Sequence, residues 1–429
     1  QGAATASDLI MNDTADLESV PPMSKLEEST HATLSNAMTE ALKSPPWVYR
    51  GIPTFNHLLI AESLFLKANI CLTTGEWADA KALFDNAYAI RYEIISRNST
   101  LSGDSLFGMA KHCKAIGDYK QALEYHIAAA QQRRQLLGEE HPDVADSLYY
   151  TAEVELLRGS LDDAFRHFND SLIVRKKVYA AAEEAVPENP MSRPPSRPNS
   201  PMNSPAKKVM HFSIAESICG CAQVYQLRGE YSRAKDMYDK SYHMMKHTLG
   251  EGHLKMSNIC LCMAENLLGM GQYEMSMALV EQVMSIRTVQ LGDDHVDCSA
   301  CYMLIADILR SQGKYLEAKK LLEQCMVVRR AKLGKVHPDT ALTLIAVGNN
   351  FHDLAKFDAA KPVFERATHL LKLSFSAESH WLIAEVWTHT AENCRKLGDF
   401  SQAKLLHEQA LMLRRKIFND QHRSISDSV

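Results

Sequence analysis

Between residues 58 and 418 the apolar positions recur at spacings of three and four, the period of an amphipathic helix. These runs are broken by short polar stretches, and the breaks are themselves periodic. The stretch "GEWADA" at Gly75 returns as "GDYKQA" at Gly117, "GEYSRA" at Gly229, "GKYLEA" at Gly313 and "GDFSQA" at Gly398. Looser copies are "GSLDDA" at Gly159, "GQYEMS" at Gly271 and "AKFDAA" at Ala355. The intervals are 42, 42, 70, 42, 42, 42 and 43 residues, so the long one is a single period plus an insertion.

Each period predicts two helices. Seven residues before the turn glycine stands Ala68, Ala110, Ala152, Ala222, Ala264, Ala306, Gly348 or Ala391. Five residues after it stands Ala80, Ala122, Ala164, Ala234, Ser276, Ala318, Ala360 or Ala403. Small residues at fixed places allow two helices to approach closely, and glycine suits the position that ends the first of them. A helix pair of this size cannot bury its own apolar faces, so neighbouring units must stack.

The small-x6-Gly-x-aromatic-x-x-Ala core resembles the tetratricopeptide repeat over about residues 58–418. The 42-residue period, with "LG-x-x-H-P" between units, is similar to kinesin light chain and nephrocystin repeats. The resemblance implies an all-α, right-handed superhelical solenoid of about eight helix-turn-helix units. The expected organisation is a disordered segment at 1–24, a capping helix and linker at 25–56, and units 1–3 at 57–183. A disordered Pro/Ser-rich insertion follows at 184–208, then units 4–8 at 209–418 and a tail at 419–429.

"LG-x-x-H" at His141, His253, His295 and His337 invites a metal reading. Spacing opposes it. Zinc donors must come within roughly 4 Å of each other, whereas equivalent histidines lie two helices apart, at ~8–10 Å per packed pair. The expectation is punctuation: glycine as helix stop, histidine bonding turn backbone, and Pro142 and Pro338 opening the next helix with Asp143 and Asp339 at its positive end. "CSAC" at Cys298–Cys301 has no second ligand pair at suitable spacing. No phosphate loop, H-E-x-x-H or G-x-S-x-G is present, so no catalytic residue, cofactor or metal is expected and the chain reads as a non-enzyme. Arginine recurs sixteen residues after the turn, at Arg91, Arg133, Arg175, Arg287, Arg329 and Arg414. It reads as a helix-end cation, or as a phosphate-binding ridge.

By resemblance, the first helices line a concave surface, with ligand-facing positions thirteen, ten, nine and six places before the turn. In the first four units these are Glu62, Phe65, Asn69; Asp104, Phe107, Lys111; Asp146, Tyr149, Tyr150, Glu153; and Glu216, Gln223. They read as an acidic row beside an aromatic one, suited to basic or aromatic peptide segments of partner proteins. The competing reading packs the aromatics against neighbouring helices. Kinesin light chains usually carry paired asparagines where this chain has Phe65-Leu66, Phe107-Gly108 and Tyr149-Tyr150, so their cargo recognition is not carried over.

Ten cysteines within helical patterns read as reduced core residues. A net charge of −5 gives no support to a nucleic-acid partner. No apolar run approaches the ~20 residues that span a bilayer, and the start "QGAATASDLIMND" is unlike a signal peptide. A cytoplasmic, even cytoskeleton-associated, interaction scaffold or adaptor is therefore expected. The alternatives are a sensor array within a larger signalling or motor protein, which a chain starting at Gln1 allows, or a rigid assembly subunit. Residues 186–208 hold seven prolines with Arg193, Arg197, Lys207 and Lys208. The segment reads either as an inert insertion, which stacked units tolerate, or as a basic loop lying in the acidic groove that phosphorylation at Ser196, Ser200 and Ser204 would loosen.

Overall fold

The computed structural model describes residues 54–74, 77–95, 99–185, 211–375 and 380–417. The segments expected at 1–24, 186–208 and 419–429, most of 25–56, and Ser196, Ser200 and Ser204 lie outside them. The described residues form sixteen α-helices in eight antiparallel pairs. Units 1 and 2 are α1 (Thr54–Thr74) with α2 (Trp77–Ile95), and α3 (Thr100–Ala115) with α4 (Tyr119–Leu137). Units 3 and 4 are α5 (Pro142–Arg158) with α6 (Leu161–Ala185), and α7 (Phe212–Leu227) with α8 (Tyr231–Leu249). Units 5 and 6 are α9 (Leu254–Gly269) with α10 (Tyr273–Leu291), and α11 (Val296–Ser311) with α12 (Tyr315–Leu333). Units 7 and 8 are α13 (Pro338–Asp353) with α14 (Phe357–Phe375), and α15 (Trp381–Leu397) with α16 (Phe400–Ile417). The architecture is the expected right-handed all-α solenoid.

The small residues do what their spacing implies. Ala68, Ala110, Ala152, Ala222, Ala264, Ala306 and Ala391 are fully buried, as are their partners Ala80, Ala122, Ala164, Ala234, Ser276, Ala318 and Ala360. In unit 5 the Ser276 hydroxyl donates to the Ala264 carbonyl at 2.7 Å, so the two backbones nearly touch. Phe84, Phe168 and Phe364 fill the next layer, each using a glycine for room. A Cβ on Gly108 would meet Phe84 at 2.5 Å, one on Gly220 would meet Phe168 at 2.4 Å, and one on Gly348 would meet Phe364 at 2.5 Å.

Between helices of a unit the chain closes a six-residue hydrogen-bonded turn, as in Asp118 N–H to Cys113 O at 2.9 Å. That turn needs a left-handed residue. Gly117 has φ 85°, and Ala355, the non-glycine copy, is forced to φ 57°.

Each first helix packs on the second helix of its own unit and of the unit before. α6 and α7 pack like any consecutive pair, so the insertion leaves the stack continuous. First helices of successive units also approach one another, from α1 with α3 to α13 with α15, more closely than second helices do. First helices therefore lie at the smaller radius and line the concave side.

The curvature is tight enough to bring distant units together. The His337 ring donates from Nε2 to the Ala115 carbonyl at 3.0 Å, joining unit 7 to unit 2. His380 donates likewise to Leu157 at 2.8 Å, joining unit 8 to unit 3. No helix among the described residues is long and apolar enough to cross a membrane.

Candidate functional site

The histidines of "LG-x-x-H" are helix caps. His141, His253, His295 and His337 each accept, through Nδ1, the backbone N–H two residues on, at 3.1–3.2 Å. His211 and His380 do the same to Ser213 and Leu382. Those two lack the leucine-glycine signature, yet all six stand eighteen residues before a turn position, so the repeat register would have found them. Pro142 and Pro338 open their helices as expected.

The recurring arginines are not a surface ridge: Arg91, Arg133, Arg175, Arg287, Arg329 and Arg414 are all buried. Each of the first three reaches from the second helix of its unit to the acidic groove position on the first helix of the same unit. Arg91 pairs with Glu62, Arg133 with Asp104 and Arg175 with Asp146, at 2.5–2.6 Å. The same guanidinium binds the next unit's first turn. Arg133, for example, donates to the Asp143 carbonyl at 3.0 Å and to Ser147 Oγ at 2.8 Å. It also lies over the aromatic of the neighbouring row: Arg91 over Phe65, Arg133 over Phe107 and Arg175 over Tyr149, at 4.6–4.9 Å. The acidic row, the aromatic row and the arginines are thus one repeated device that ties three helices together.

The exceptions follow the same logic. Unit 4 has Met245 in place of the arginine, and its Glu216 turns to Lys255 at 2.8 Å. In unit 7 both partners are apolar, Leu342 and Leu371, and they join one core cluster.

All twelve expected groove residues are half-buried. Phe107 meets His126 and Tyr150 edge-on, with Lys111 Nζ above it at 4.8 Å. Tyr149 packs edge-on against Phe168 and Tyr150, and burial raises its phenol well above the ordinary value. Asn69 is turned inward to the Phe65 carbonyl. Packing therefore claims much of the aromatic row. The polar row six residues before the turn is bridged between units. Lys114 holds Glu153 at 2.5 Å, and Gln226 faces Glu265 at 3.5 Å. Gln223 lies 3.0 Å from Cys262 Sγ.

Sequence reasoning missed Lys114 as a member of this surface, although a constant offset just short of one period would have pointed to the bridges. Desolvation inside the curved array pushes the Glu265 carboxyl up to about 7, with a further push from Asp307, although the side chain still reaches solvent. Burial lowers Lys111 from its usual value. Among the described residues no group of His, Cys, Asp and Glu could hold a metal ion. The described cysteines are all free thiols, and burial raises Cys301 to about 11, far from a reactive thiolate.

Family models described as tetratricopeptide repeat match residues 99–177, 255–326 and 300–372, and a second such model matches 215–254, together more than half of the chain. The chain is a tetratricopeptide repeat protein. A comparison with curated protein sequences finds no match. Among solved structures, this repeat protein is similar to a Rap protein complexed with competence and sporulation factor, with a TM-score of 0.54 and 11% identity over 85% of this chain and 99% of the other. The apo quorum sensor NprR from B. thuringiensis aligns with a TM-score of 0.50 and 13% identity over 95% and 97%. A Podospora anserina protein described as a kinesin light chain of TPR-like repeats aligns with a TM-score of 0.37 and 20% identity over 49% and 99%. The family and fold are those of protein-interaction scaffolds.

Proposed function

We propose that the protein is a non-catalytic, cytoplasmic adaptor whose concave face binds extended peptide segments of partner proteins. One observation carries this reading. Successive first helices line one curved surface, and they set Asn69, Lys111, Glu153, Gln223, Glu265 and Asp307 at the same position of successive units. An extended peptide has the matching periodic donors and acceptors, and bridges such as Lys114–Glu153 can exchange for ligand groups. A Rap protein of similar fold is complexed with competence and sporulation factor, which supports a binding role for such a fold. Because buried arginines already neutralise Glu62, Asp104 and Asp146, and Lys255 pairs with Glu216, a basic ligand draws on Glu153 and Glu265 more than on that acidic row.

A peptide-array screen on the full chain tests this, repeated with Lys111→Gln, Glu153→Gln and Gln223→Ala combined. Substituting Phe65, Phe107 or Tyr149 would be a poor control, since each packs under a buried arginine. Basic or aromatic peptides that bind and weaken at least tenfold in the triple variant support the groove. Absence of binding, or indifference to the substitutions, moves the function to another face or to rigid assembly. Phosphorylation at Ser196, Ser200 and Ser204 belongs to the same proposal. Deleting 186–208 should raise peptide affinity, and unchanged affinity would sink that regulatory part.

A further inference from the structure

The contact between distant units is built, not incidental, because it occurs twice with one geometry. In unit 2 the turn glycine Gly117 sits under Pro338, so that a Cβ there would meet the proline ring at 2.6 Å. In unit 3 Gly159 sits under Trp381, and its Cβ would meet the indole at 2.5 Å. Gly271, Gly313 and Gly398, at equivalent turns, are exposed with nothing within 4 Å of an added Cβ. Beside each buried glycine a cap histidine completes the rung. His337 and His380 are 4% and 5% exposed, whereas the His141 and His295 side chains, which cap in the same way, are 37% and 27% exposed. Nδ1 accepts the cap hydrogen bond, so Nε2 carries the proton and donates it to Ala115 or Leu157. Both rungs join units five apart.

Turns within units lie along one edge of the helical ribbon, and loops between units lie along the other. A rung from a turn to a loop five units later therefore joins opposite edges of successive superhelical turns. It closes the side wall at units 2 and 3. We infer that the concave surface there is the lumen of a closed tube, and that it admits a short peptide with a free end, entering along the axis, while excluding an internal segment of a folded partner laid in from the side. This rests on the peptide-groove reading above and adds the access route.

The test uses the full chain and a fluorescein-labelled dodecapeptide of alternating arginine and phenylalanine. The same twelve residues are also presented in a surface loop of a small folded carrier protein. The unsubstituted protein should bind the free peptide at least tenfold more tightly than the loop form. Pro338→Ser with Trp381→Ser removes the apolar half of both rungs while leaving the histidine caps. This variant should show a larger radius of gyration by X-ray scattering, with an unchanged helical circular-dichroism signal, and the tenfold ratio should fall towards one. Equal binding of both forms by the unsubstituted protein overturns the closed wall and leaves the groove standing. So does a ratio that persists in a variant whose radius has grown. Binding of neither form removes the groove and the inference with it. If the variant does not fold, the ratio in the unsubstituted protein decides alone.

Discussion

The buried arginine is the residue on which most of the local structure turns. In Arg133 one guanidinium serves the Asp104 carboxylate, the Ser147 hydroxyl, the Asp143 carbonyl and the face of Phe107. Arg133→Leu should destabilise the protein by about 2–4 kcal/mol, reduced somewhat because Asp104 is partly solvated. Adding Asp104→Leu should restore at least half of that in chemical denaturation, since unit 7 already uses Leu342 and Leu371 at these two places. No recovery would mean that the contacts to the next unit dominate. Two glycines of α3 give a sharper contrast. Gly103→Ala meets nothing closer than 3.6 Å and should stabilise by up to about 1 kcal/mol through helix propensity. Gly108→Ala drives its Cβ to within 2.5 Å of Phe84 and 2.9 Å of Phe65, and should cost about 1–3 kcal/mol despite the same propensity gain.

Element ends are set by two devices, a left-handed turn residue and a histidine cap. Ala355 holds the turn between α13 and α14 at φ 57°, a conformation that costs an L-residue roughly 1–2 kcal/mol. Ala355→Gly should therefore raise the melting temperature, the entropic cost of glycine taking back part of the gain. The caps differ in what their second nitrogen does. At His141 only the cap is at stake, and His141→Ala should cost about 0.5–2 kcal/mol. At His380 the same substitution also empties the rung to Leu157, so its cost in denaturant titration should exceed that at His141.

Across the whole molecule, burial keeps several imidazoles neutral. His112 and His380 are lowered to about 4 and His126 to about 3. His126 is fully buried, its ring nitrogens have no hydrogen-bond partner, and Tyr150 stacks on its ring. Because the folded-state values lie below the unfolded 6.5, the unfolded chain takes up protons first as the pH falls. The stability these neutral rings allow is complete above about pH 6.5. It is lost towards pH 4 at up to about 1.4 kcal/mol per pH unit for each group. Thermal melts should fall below pH 6.5, and His126→Leu should flatten that decline. On the concave face the Glu265 carboxyl, at about 7, gives the opposite readout. Affinity for a cationic peptide should rise from pH 6 to pH 8, and Glu265→Gln should abolish the rise.

The repeat, its helix pairs, the small residues between them and the punctuating role of the histidines were legible in the chain, because each depends on contacts within one or two units. A fixed period reports those contacts many times over. The arginine was visible as a recurrence, but its burial was not. Its partners lie on the first helix of its own unit and in the first turns of the next, and only the stacking of three helices shows that one side chain reaches them all. The spacing of the groove residues puts them on one helical face, yet how much of each side chain is consumed by packing depended on neighbours the period does not name. The seam lay furthest from view. Pro338 and Trp381 look like ordinary first-turn residues, and Gly117 and Gly159 look like any turn glycine. Whether they meet depends on the small rotation from each unit to the next, summed over five units. That sum is a property of the tertiary structure alone.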